Sequence, residues 1–196
     1  MKSKDWLNRH KNDFYVKKAR KQGYLSRAAY KLIEIDKKFE ILKKSKNLLE
    51  FGASPGGWSQ VALEINPKIQ ITAIDLLELK INHPQIKFYK EDFLQFNFNK
   101  IENNFDLILS DIAPNTTGHK STDHLRLSSM LFDMIETIDQ VMNQRGTFVT
   151  KIWKGSEEKD IINNLKKKFN KVSYFKPDSS RKDSVEIFII AKNFKL

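Results

Sequence analysis

A glycine-rich turn that joins an apolar stretch to a helical pattern constrains the fold of this chain more than any other feature. Residues 47–51 have the pattern of a short buried strand, and residues 58–65 continue with helical spacing. Gly52, Gly56 and Gly57 lie between the two. Because glycine has no side chain, a ligand can approach the backbone there, beyond the carboxyl end of the strand. The stretch predicts an α/β protein with a ligand site at this turn, although three glycines alone also fit an ordinary turn.

Strands and helices alternate along the rest of the chain. Six further strands are predicted over residues 69–75, 86–89, 105–111, 146–153, 172–175 and 185–191, and further helices over 27–35, 156–169 and between 123 and 146. This alternation predicts a doubly wound α/β fold with a seven-stranded, mostly parallel sheet. The turn over 176–181 is too short for a crossover helix, so the last strand is expected to be antiparallel.

Two residues are predicted to set the ends of helices. Ser26 precedes the helical pattern over 27–35 and offers its side chain as an N-cap. Gly146 is predicted to end the long amphipathic helix. Lys31 lies next to the apolar face of the first of these helices, where a long side chain can follow the apolar surface and place its amine at an edge.

The composition limits the classes of protein to which the chain can belong. Its 196 residues most simply form one domain, which we expect over residues 25–196, after a basic segment over residues 1–24. The absence of Cys excludes disulfides, thiolate metal sites and a Cys nucleophile. No signal-peptide pattern and no apolar run of membrane-spanning length is present. We therefore expect a soluble, cytoplasmic protein that is monomeric and has no metal site.

The formal net charge of +11 favours a polyanionic partner, although a Lys-rich composition alone can produce it. In residues 1–24 the positive side chains are interleaved with aromatic ones: Trp6, Arg9, His10, Lys11, Phe14, Tyr15, Lys17, Lys18, Arg20, Lys21 and Tyr24. Cations can neutralise phosphates, and aromatic rings can stack on unpaired bases. A solvated helix would have the same pattern, so this segment is compatible with either role.

Two acids lie at or just beyond the carboxyl ends of the second and third predicted strands, the edge at which the glycine-rich turn also lies. Asp75 comes 23 residues after Gly52, where a carboxylate can accept hydrogen bonds from the ribose hydroxyls of a nucleoside. Asp92 follows the third strand and could accept a hydrogen bond from the exocyclic amine of adenine. Each could instead cap a turn. These positions alone fit a nicotinamide dehydrogenase almost as well as any other nucleoside-binding enzyme.

The turn itself argues against a dinucleotide. Its sequence is Gly-x-x-x-Gly-Gly with Pro55 inside it, and not the Gly-x-Gly-x-x-Gly that brings a helix N-terminus onto a pyrophosphate. A ligand that contains adenosine but no phosphate fits such a loop better. S-adenosylmethionine is the common ligand of this kind, and Gly52, Gly56 and Gly57 are the residues expected to approach it.

Three charged residues interrupt or end apolar strands. Lys151 lies within the fifth strand, Asp111 ends the fourth, and Glu186 begins the last. Strand interiors seldom carry an unpaired charge, because its desolvation is costly. A structural ion pair would explain any two of them. A lysine flanked by two acids at the carboxyl edge of one sheet is more typical of a functional site.

The chain resembles the FtsJ/RrmJ family of RNA ribose 2′-O-methyltransferases. The matching stretches are Ser26-Arg27-Ala28-Ala29-Tyr30-Lys31-Leu32, Gly52-Ala53-Ser54-Pro55-Gly56-Gly57-Trp58-Ser59-Gln60, Ser110-Asp111-Ile112-Ala113-Pro114-Asn115, Lys151 in its strand, and Lys176-Pro177-Asp178-Ser179-Ser180-Arg181 before Glu186. They run in family order from about residue 10 to the end. One departure is Glu50, which stands where family members usually have Asp.

This resemblance implies a fold and a set of functional residues. The fold is the Rossmann-like class I fold of S-adenosylmethionine-dependent methyltransferases. The family's catalytic tetrad falls on Lys31, Asp111, Lys151 and Glu186, and its methyl-donor contacts fall on Gly56, Trp58, Asp75, Asp92 and Asp111. The implied reaction is in-line attack of a ribose 2′-hydroxyl on the sulfonium methyl of the donor. Lys151 would act either as a neutral base or as a cation that orients the hydroxyl.

The resemblance also implies a substrate, a uridine in the A-loop of 23S ribosomal RNA within the large ribosomal subunit. Ribose methyltransferases that act on tRNA share the tetrad. A nicotinamide-dependent oxidoreductase remains an enzyme alternative. A non-catalytic RNA-binding factor of ribosome assembly is an alternative of another class.

Overall fold

The structure, a computed structural model, describes residues 12–101, 104–114, 117–155, 157–181 and 183–195. The helices are α1 (Phe14–Gln22), α2 (Ala29–Phe39), α3 (Gly57–Ile65), α4 (Lys120–Val141) and α5 (Glu158–Lys168). The strands are β1 (Asn47–Phe51), β2 (Gln70–Ile74), β3 (Ile86–Tyr89), β4 (Phe105–Ser110), β5 (Met142–Trp153), β6 (Phe169–Phe175) and β7 (Glu186–Phe194). None of the helices in these ranges is both long and apolar enough to cross a membrane.

Seven strands form one sheet in the order β3-β2-β1-β4-β5-β7-β6. Adjacent strands from β3 to β5 are parallel, and β7 runs antiparallel to both of its neighbours. The predicted mostly parallel, seven-stranded α/β sheet with an antiparallel last strand is therefore confirmed. The reversal matters for the site, because it brings the first residue of β7 opposite the last residue of β5.

The sheet is covered on both faces, as its nearly continuous apolar strands predict. Alternate strand residues point to opposite sides, so that Leu49 and Ile108 pack with α4 and α5, whereas Leu48 and Leu107 pack with α2 and α3. Helices on the two faces thus deliver side chains to the same carboxyl edge from opposite directions.

Two predicted helix ends are wrong. The N-cap of α2 is Ala28, and Ser26 caps the helix with its backbone carbonyl, which accepts a hydrogen bond from Ala29 N at 3.3 Å. The helix α4 ends at Val141, and Gly146 lies inside β5. A Cβ at Gly146 would come within 2.5 Å of Met142 Cγ, so this glycine permits a tight irregularity at the start of the strand.

The basic N-terminal segment is described only in part. Trp6, Arg9, His10 and Lys11 lie outside the described residues. Asp13 caps α1, and its carboxylate also forms ion pairs with Arg27 and with Arg181, whose Nε is 3.3 Å away. The helix is therefore tied to the rest of the fold through charged side chains near the carboxyl edge of the sheet.

Candidate active site

Four charged side chains meet at the carboxyl edge of the sheet. Lys151 Nζ lies 2.9 Å from Asp111 Oδ1. Lys31 Nζ lies 3.5 Å from Asp111 Oδ2 and 3.4 Å from Glu186 Oε2. The structure thus brings together all four residues that sequence reasoning assigned to the tetrad, in the order Lys151, Asp111, Lys31 and Glu186.

The topology explains why these residues meet. Asp111 directly follows β4, and Lys151 lies near the end of the adjacent parallel strand β5. Glu186 is the first residue of the antiparallel β7 and pairs with Trp153. Lys31 reaches the same edge from α2, with its ammonium 5.5 Å from the centre of the Phe188 ring. Four segments that are distant in sequence thus supply one charged cluster.

The charges of the cluster stabilise one another. Burial alone would lower the pKa of Lys31, but the carboxylates of Asp111 and Glu186 outweigh burial and raise the pKa. Burial alone would raise the pKa of Asp111, but Lys151 and Lys31 outweigh burial and lower the pKa. At neutral pH Lys31 is therefore an ammonium and Asp111 a carboxylate.

The contact between Lys151 and Asp111 leaves hydrogen-bonding capacity in the centre of the cluster. Lys151 is only 4% exposed and donates a hydrogen bond to the backbone carbonyl of Asp111 at 2.9 Å. The carboxylate oxygen Oδ1 is equally close to Nζ, yet it receives no well-directed hydrogen bond from any residue within the described ranges. This oxygen is buried, and the nearby ammonium group of Lys151 compensates its negative charge.

A cavity of about 310 Å³ opens on one side of the cluster, above the glycine-rich turn. It is lined by Gly52, Ser54, Ile74, Asp75, Leu76, Leu77, Glu91, Asp92, Phe93, Asp111, Ile112, Ala113 and Met130. Four of these side chains are acidic, which disfavours a phosphate and favours a ligand that carries hydroxyl, amine or cationic groups. Asp111 belongs both to this cavity and to the charged cluster.

The two predicted nucleoside-binding acids line this cavity and also cap turns. Asp75 accepts hydrogen bonds from Ser54 N through Oδ2 and from Leu77 N through Oδ1, both at 2.8 Å. Asp92 accepts a hydrogen bond from Leu94 N at 3.1 Å. Each carboxylate oxygen has two lone pairs, so the capping bonds leave acceptor sites for a ligand. Asp75 and Asp92 can therefore cap their turns and bind a ligand at the same time.

Of the three predicted glycines, only Gly52 lines the cavity, and Trp58 does not line it. Trp58 is buried, donates a hydrogen bond from Nε1 to the Ala28 carbonyl at 2.8 Å and packs on Phe188. A Cβ at Gly57 would lie 2.4 Å from Ser26 Oγ. The contacts of the Trp58 side chain, together with the close approach of Ser26 to Gly57, thus fix the start of α2 against the turn.

Gly56 allows a test of how strictly the turn requires glycine. Its φ is +114°, and a Cβ there would lie 2.6 Å from Ile81 Cγ2 and 3.1 Å from Leu25 Cδ1. We expect Gly56→Ala to lower the free energy of unfolding by about 2–4 kcal/mol, from backbone strain and overpacking together. The measurement is urea unfolding at neutral pH.

Gly23→Ala is the matched control for Gly56→Ala. Gly23 also has a positive φ, +80°, but a Cβ there would meet nothing within 4 Å. This control variant carries the backbone strain alone, for which we expect about 1–2 kcal/mol. Equal losses in the two variants would show that close packing around Gly56 contributes nothing.

A second cavity, of about 550 Å³, opens on the other side of the charged cluster. It is lined by Arg27, Ala28, Lys31, Asp123, His124, Trp153, Arg181, Asp183, Ser184, Val185 and Glu186. Lys31 and Glu186 connect it to the cluster. Sequence reasoning did not assign Arg27, His124 or Arg181 to the site, because they come from segments whose proximity only the fold reveals.

Comparison with known proteins identifies the family. Residues 24–194 match the model of the FtsJ-like methyltransferases. The Ribosomal RNA large subunit methyltransferase E of Rickettsia bellii is 41% identical over 203 residues, which cover 98% of this chain and 89% of that protein. The protein of the same name from Wolbachia sp. subsp. Brugia malayi is 41% identical over 202 residues, which cover 99% of this chain and 90% of that protein.

A solved structure agrees with these relatives in sequence and in fold. A Plasmodium falciparum protein described as a ribosomal RNA methyltransferase superposes with a TM-score of 0.76 at 34% identity. The match covers 87% of this chain and 98% of that one. The predicted resemblance and the predicted methyltransferase fold are both confirmed, and the chain belongs to the FtsJ-like methyltransferase family.

Proposed function

We propose that this methyltransferase transfers a methyl group from S-adenosylmethionine to a ribose 2′-hydroxyl of large-subunit ribosomal RNA. One observation carries the proposal. The charged cluster lies between an acidic cavity, which Asp111 shares, and a second cavity with two arginines, which Lys31 and Glu186 share. A cationic methyl donor suits the first cavity, and an anionic RNA suits the second.

The residues of the acidic cavity fit S-adenosylmethionine. Asp75 and Asp92 retain acceptor sites for the ribose hydroxyls and the adenine amine, and the carboxylate of Asp111, which lines the same cavity, provides negative charge near a sulfonium or an ammonium group. When bound, the donor supplies a methyl group that is activated by its positively charged sulfur. Four acids would repel the diphosphate of a nicotinamide dinucleotide, so the dehydrogenase alternative is disfavoured.

Each member of the tetrad has a distinct role in this proposal. Lys151 would contact the acceptor hydroxyl. The hydroxyl oxygen would form the new bond to the methyl carbon as the carbon–sulfur bond of the donor breaks, and the proton would pass to Lys151, where its amine is neutral, or to solvent. Asp111 holds Lys151 through two contacts of 2.9 Å. Lys31 remains protonated because its pKa is raised, so it positions the hydroxyl together with Glu186 and does not act as a base.

The second cavity supports an RNA acceptor. Arg27 and Arg181 stand beside Lys31, and guanidinium groups bind phosphate through paired hydrogen bonds. Both arginines pair with Asp13, and because a guanidinium has five N–H donors, each retains donors for a phosphate. The net charge of +11 adds attraction that does not depend on sequence. The names of the relatives lead us to propose ribosomal RNA. The resemblance to the FtsJ/RrmJ family leads us to propose a uridine of the A-loop as the target.

The proposal is tested by methyl incorporation from labelled S-adenosylmethionine into large ribosomal subunits that lack the modification, into free ribosomal RNA and into tRNA. We expect incorporation into the large subunit at one ribose, detected by its resistance to alkaline cleavage. Preferential methylation of tRNA would support the tRNA alternative. Binding of ribosomal RNA without incorporation would support the non-catalytic alternative.

A further inference from the structure

We propose that His124 and Trp153 form the wall on which the base of the acceptor nucleotide stacks. This inference rests on the proposed function and extends it, because the tetrad acts on a ribose and leaves the base without a binding site. RNA bases that are splayed out of a folded RNA commonly stack on aromatic side chains, so such a surface beside the tetrad would hold the base of the acceptor nucleotide.

The second cavity has chemically different walls on opposite sides of the sheet. Arg27 and Ala28 lead into α2, which packs on one face, whereas His124 belongs to α4, which packs on the other. Lys31 and Glu186 lie between these walls at the carboxyl edge. A cationic wall, a polar floor and an aromatic wall match the phosphate, the ribose and the base of one nucleotide.

The aromatic wall is built from two rings in contact. The centroids of His124 and Trp153 are 5.2 Å apart with an interplanar angle of 58°, and both side chains are half-buried. A Cβ at Gly155 would lie 2.7 Å from His124 Nδ1. The absence of a side chain at Gly155 therefore lets the imidazole pack against the chain just beyond β5, and this contact holds the ring beside the indole.

Trp153 also lies next to the reacting groups. It follows Lys151 by two residues in β5 and pairs with Glu186 across the sheet. A base attached to a ribose held between these two charged residues would thus meet the indole first. The alternative role of Trp153 is purely structural, since the ring also packs partly against the core beneath α4.

Steady-state methylation of unmodified large ribosomal subunits by Trp153→Leu and Trp153→Phe distinguishes these roles. We expect Trp153→Leu to lower kcat/KM for the ribosomal subunit by about 10- to 100-fold, the usual effect of losing one stacked base, with an unchanged Kd for S-adenosylmethionine. Trp153→Phe retains a flat ring and should stay within about threefold of wild type. Tyr174→Leu, which removes an exposed aromatic ring from β6, is the matched control and should have no effect.

Gly155→Ala provides a second variant that leaves the indole intact. It would push the imidazole from its place, and we expect a loss of kcat/KM for the ribosomal subunit of about 3- to 10-fold at unchanged donor affinity. Wild-type kcat/KM in Trp153→Leu, or an equal loss in Trp153→Phe and Trp153→Leu, would overturn the stacking role. Failure of the wild-type enzyme to methylate any RNA would instead overturn the proposed function.

Discussion

Replacement of Lys151 by methionine is expected to lower the rate of methyl transfer by about 10²- to 10⁴-fold, the range for loss of a group that takes up a proton or stabilises developing charge. Methionine has a similar length but no charge, and it removes both contacts with Asp111. The measurement is a single-turnover rate with saturating S-adenosylmethionine and large ribosomal subunits. Donor affinity, measured by calorimetry, should change little, because Lys151 does not line the acidic cavity.

Lys192→Met is the matched control for this variant. Lys192 also donates a hydrogen bond to a backbone carbonyl, that of Phe39 at 2.6 Å, and its pKa is lowered by burial and by nearby lysines. It lies in β7 but far along the strand from Glu186. We expect full methyl transfer from Lys192→Met. Wild-type turnover in Lys151→Met would refute the proposed contact between Lys151 and the acceptor hydroxyl.

A third variant, Lys151→Arg, separates the two roles that the sequence leaves open. Arginine keeps the positive charge and its hydrogen bonds but does not lose its proton in a protein. Substantial activity in Lys151→Arg would show that the cation only orients the hydroxyl and stabilises its developing charge. Loss of activity equal to that of Lys151→Met, with a folded protein, would favour a base.

The second large expected effect is a pH dependence of the free energy of unfolding that is caused by Glu50, which lies beneath the glycine-rich turn. It is 1% exposed and accepts a hydrogen bond from Ser59 Oγ at 2.5 Å. Burial raises the pKa of its carboxyl to about 8; the hydrogen bond from Ser59 opposes this rise, and the negative charges of Asp75 and Asp111 add to it. The folded protein therefore keeps a proton that the unfolded chain has already released at neutral pH.

The direction of the pH dependence follows from these proton counts. Below pH 4.5 both states bind the proton, and between pH 4.5 and about 8 only the folded state does. Stability from this group is therefore complete at low pH and decreases as the pH rises through that window, by about 1.4 kcal/mol per pH unit. Glu50→Gln has no titrating group and should remove this slope, which makes the variant more stable than wild type at pH 8.

Urea unfolding at pH 5 and at pH 8 measures the difference. Glu136→Gln, which neutralises an exposed acid on α4, is the control for the change in net charge and should retain the slope of the wild type. If Glu50→Gln also retained that slope, Glu50 would be ionised in the folded protein. Because Glu50 is already neutral in the folded protein at neutral pH, Glu50→Gln leaves the charge near Asp75 and Asp111 unchanged, and we expect it to alter the affinity for S-adenosylmethionine only modestly.

The sequence predicts the fold well where local patterns decide it. The apolar strands, the glycine-rich turn and the short turn before the last strand together determine the sheet and its antiparallel edge. A charge such as Lys151 inside an apolar strand indicates that it needs a partner, and this pattern singles out Lys151, Asp111 and Glu186, whereas Lys31 is assigned to the proposed tetrad by the family resemblance. A charged residue of this kind differs from the apolar residues around it in the strand, so it can be recognised from a single sequence.

The remaining features depend on contacts between distant segments. Ser26 has the sequence signature of an N-cap, but its hydroxyl packs closely against Gly57, and the helix begins later. The pattern around Trp58 does not reveal that its indole bonds to Ala28. Arg181 resembles any basic turn residue until the fold places it beside Arg27. Contacts that form only in the folded chain thus account for most of the differences between the features predicted from the sequence and those observed in the structure.

The direction of β7 has a consequence for how this enzyme can be altered. The strand is nine residues long, and at about 3.3 Å per residue its two ends are roughly 30 Å apart. If it ran with its neighbours, its glutamate would emerge at the opposite rim of the protein, out of reach of the lysine from α2. If Glu186 has the role proposed above, the direction of β7 is as much a requirement for methyl transfer as any side chain of the tetrad, and a variant in which this strand is reversed or removed would lose methyl transfer along with stability.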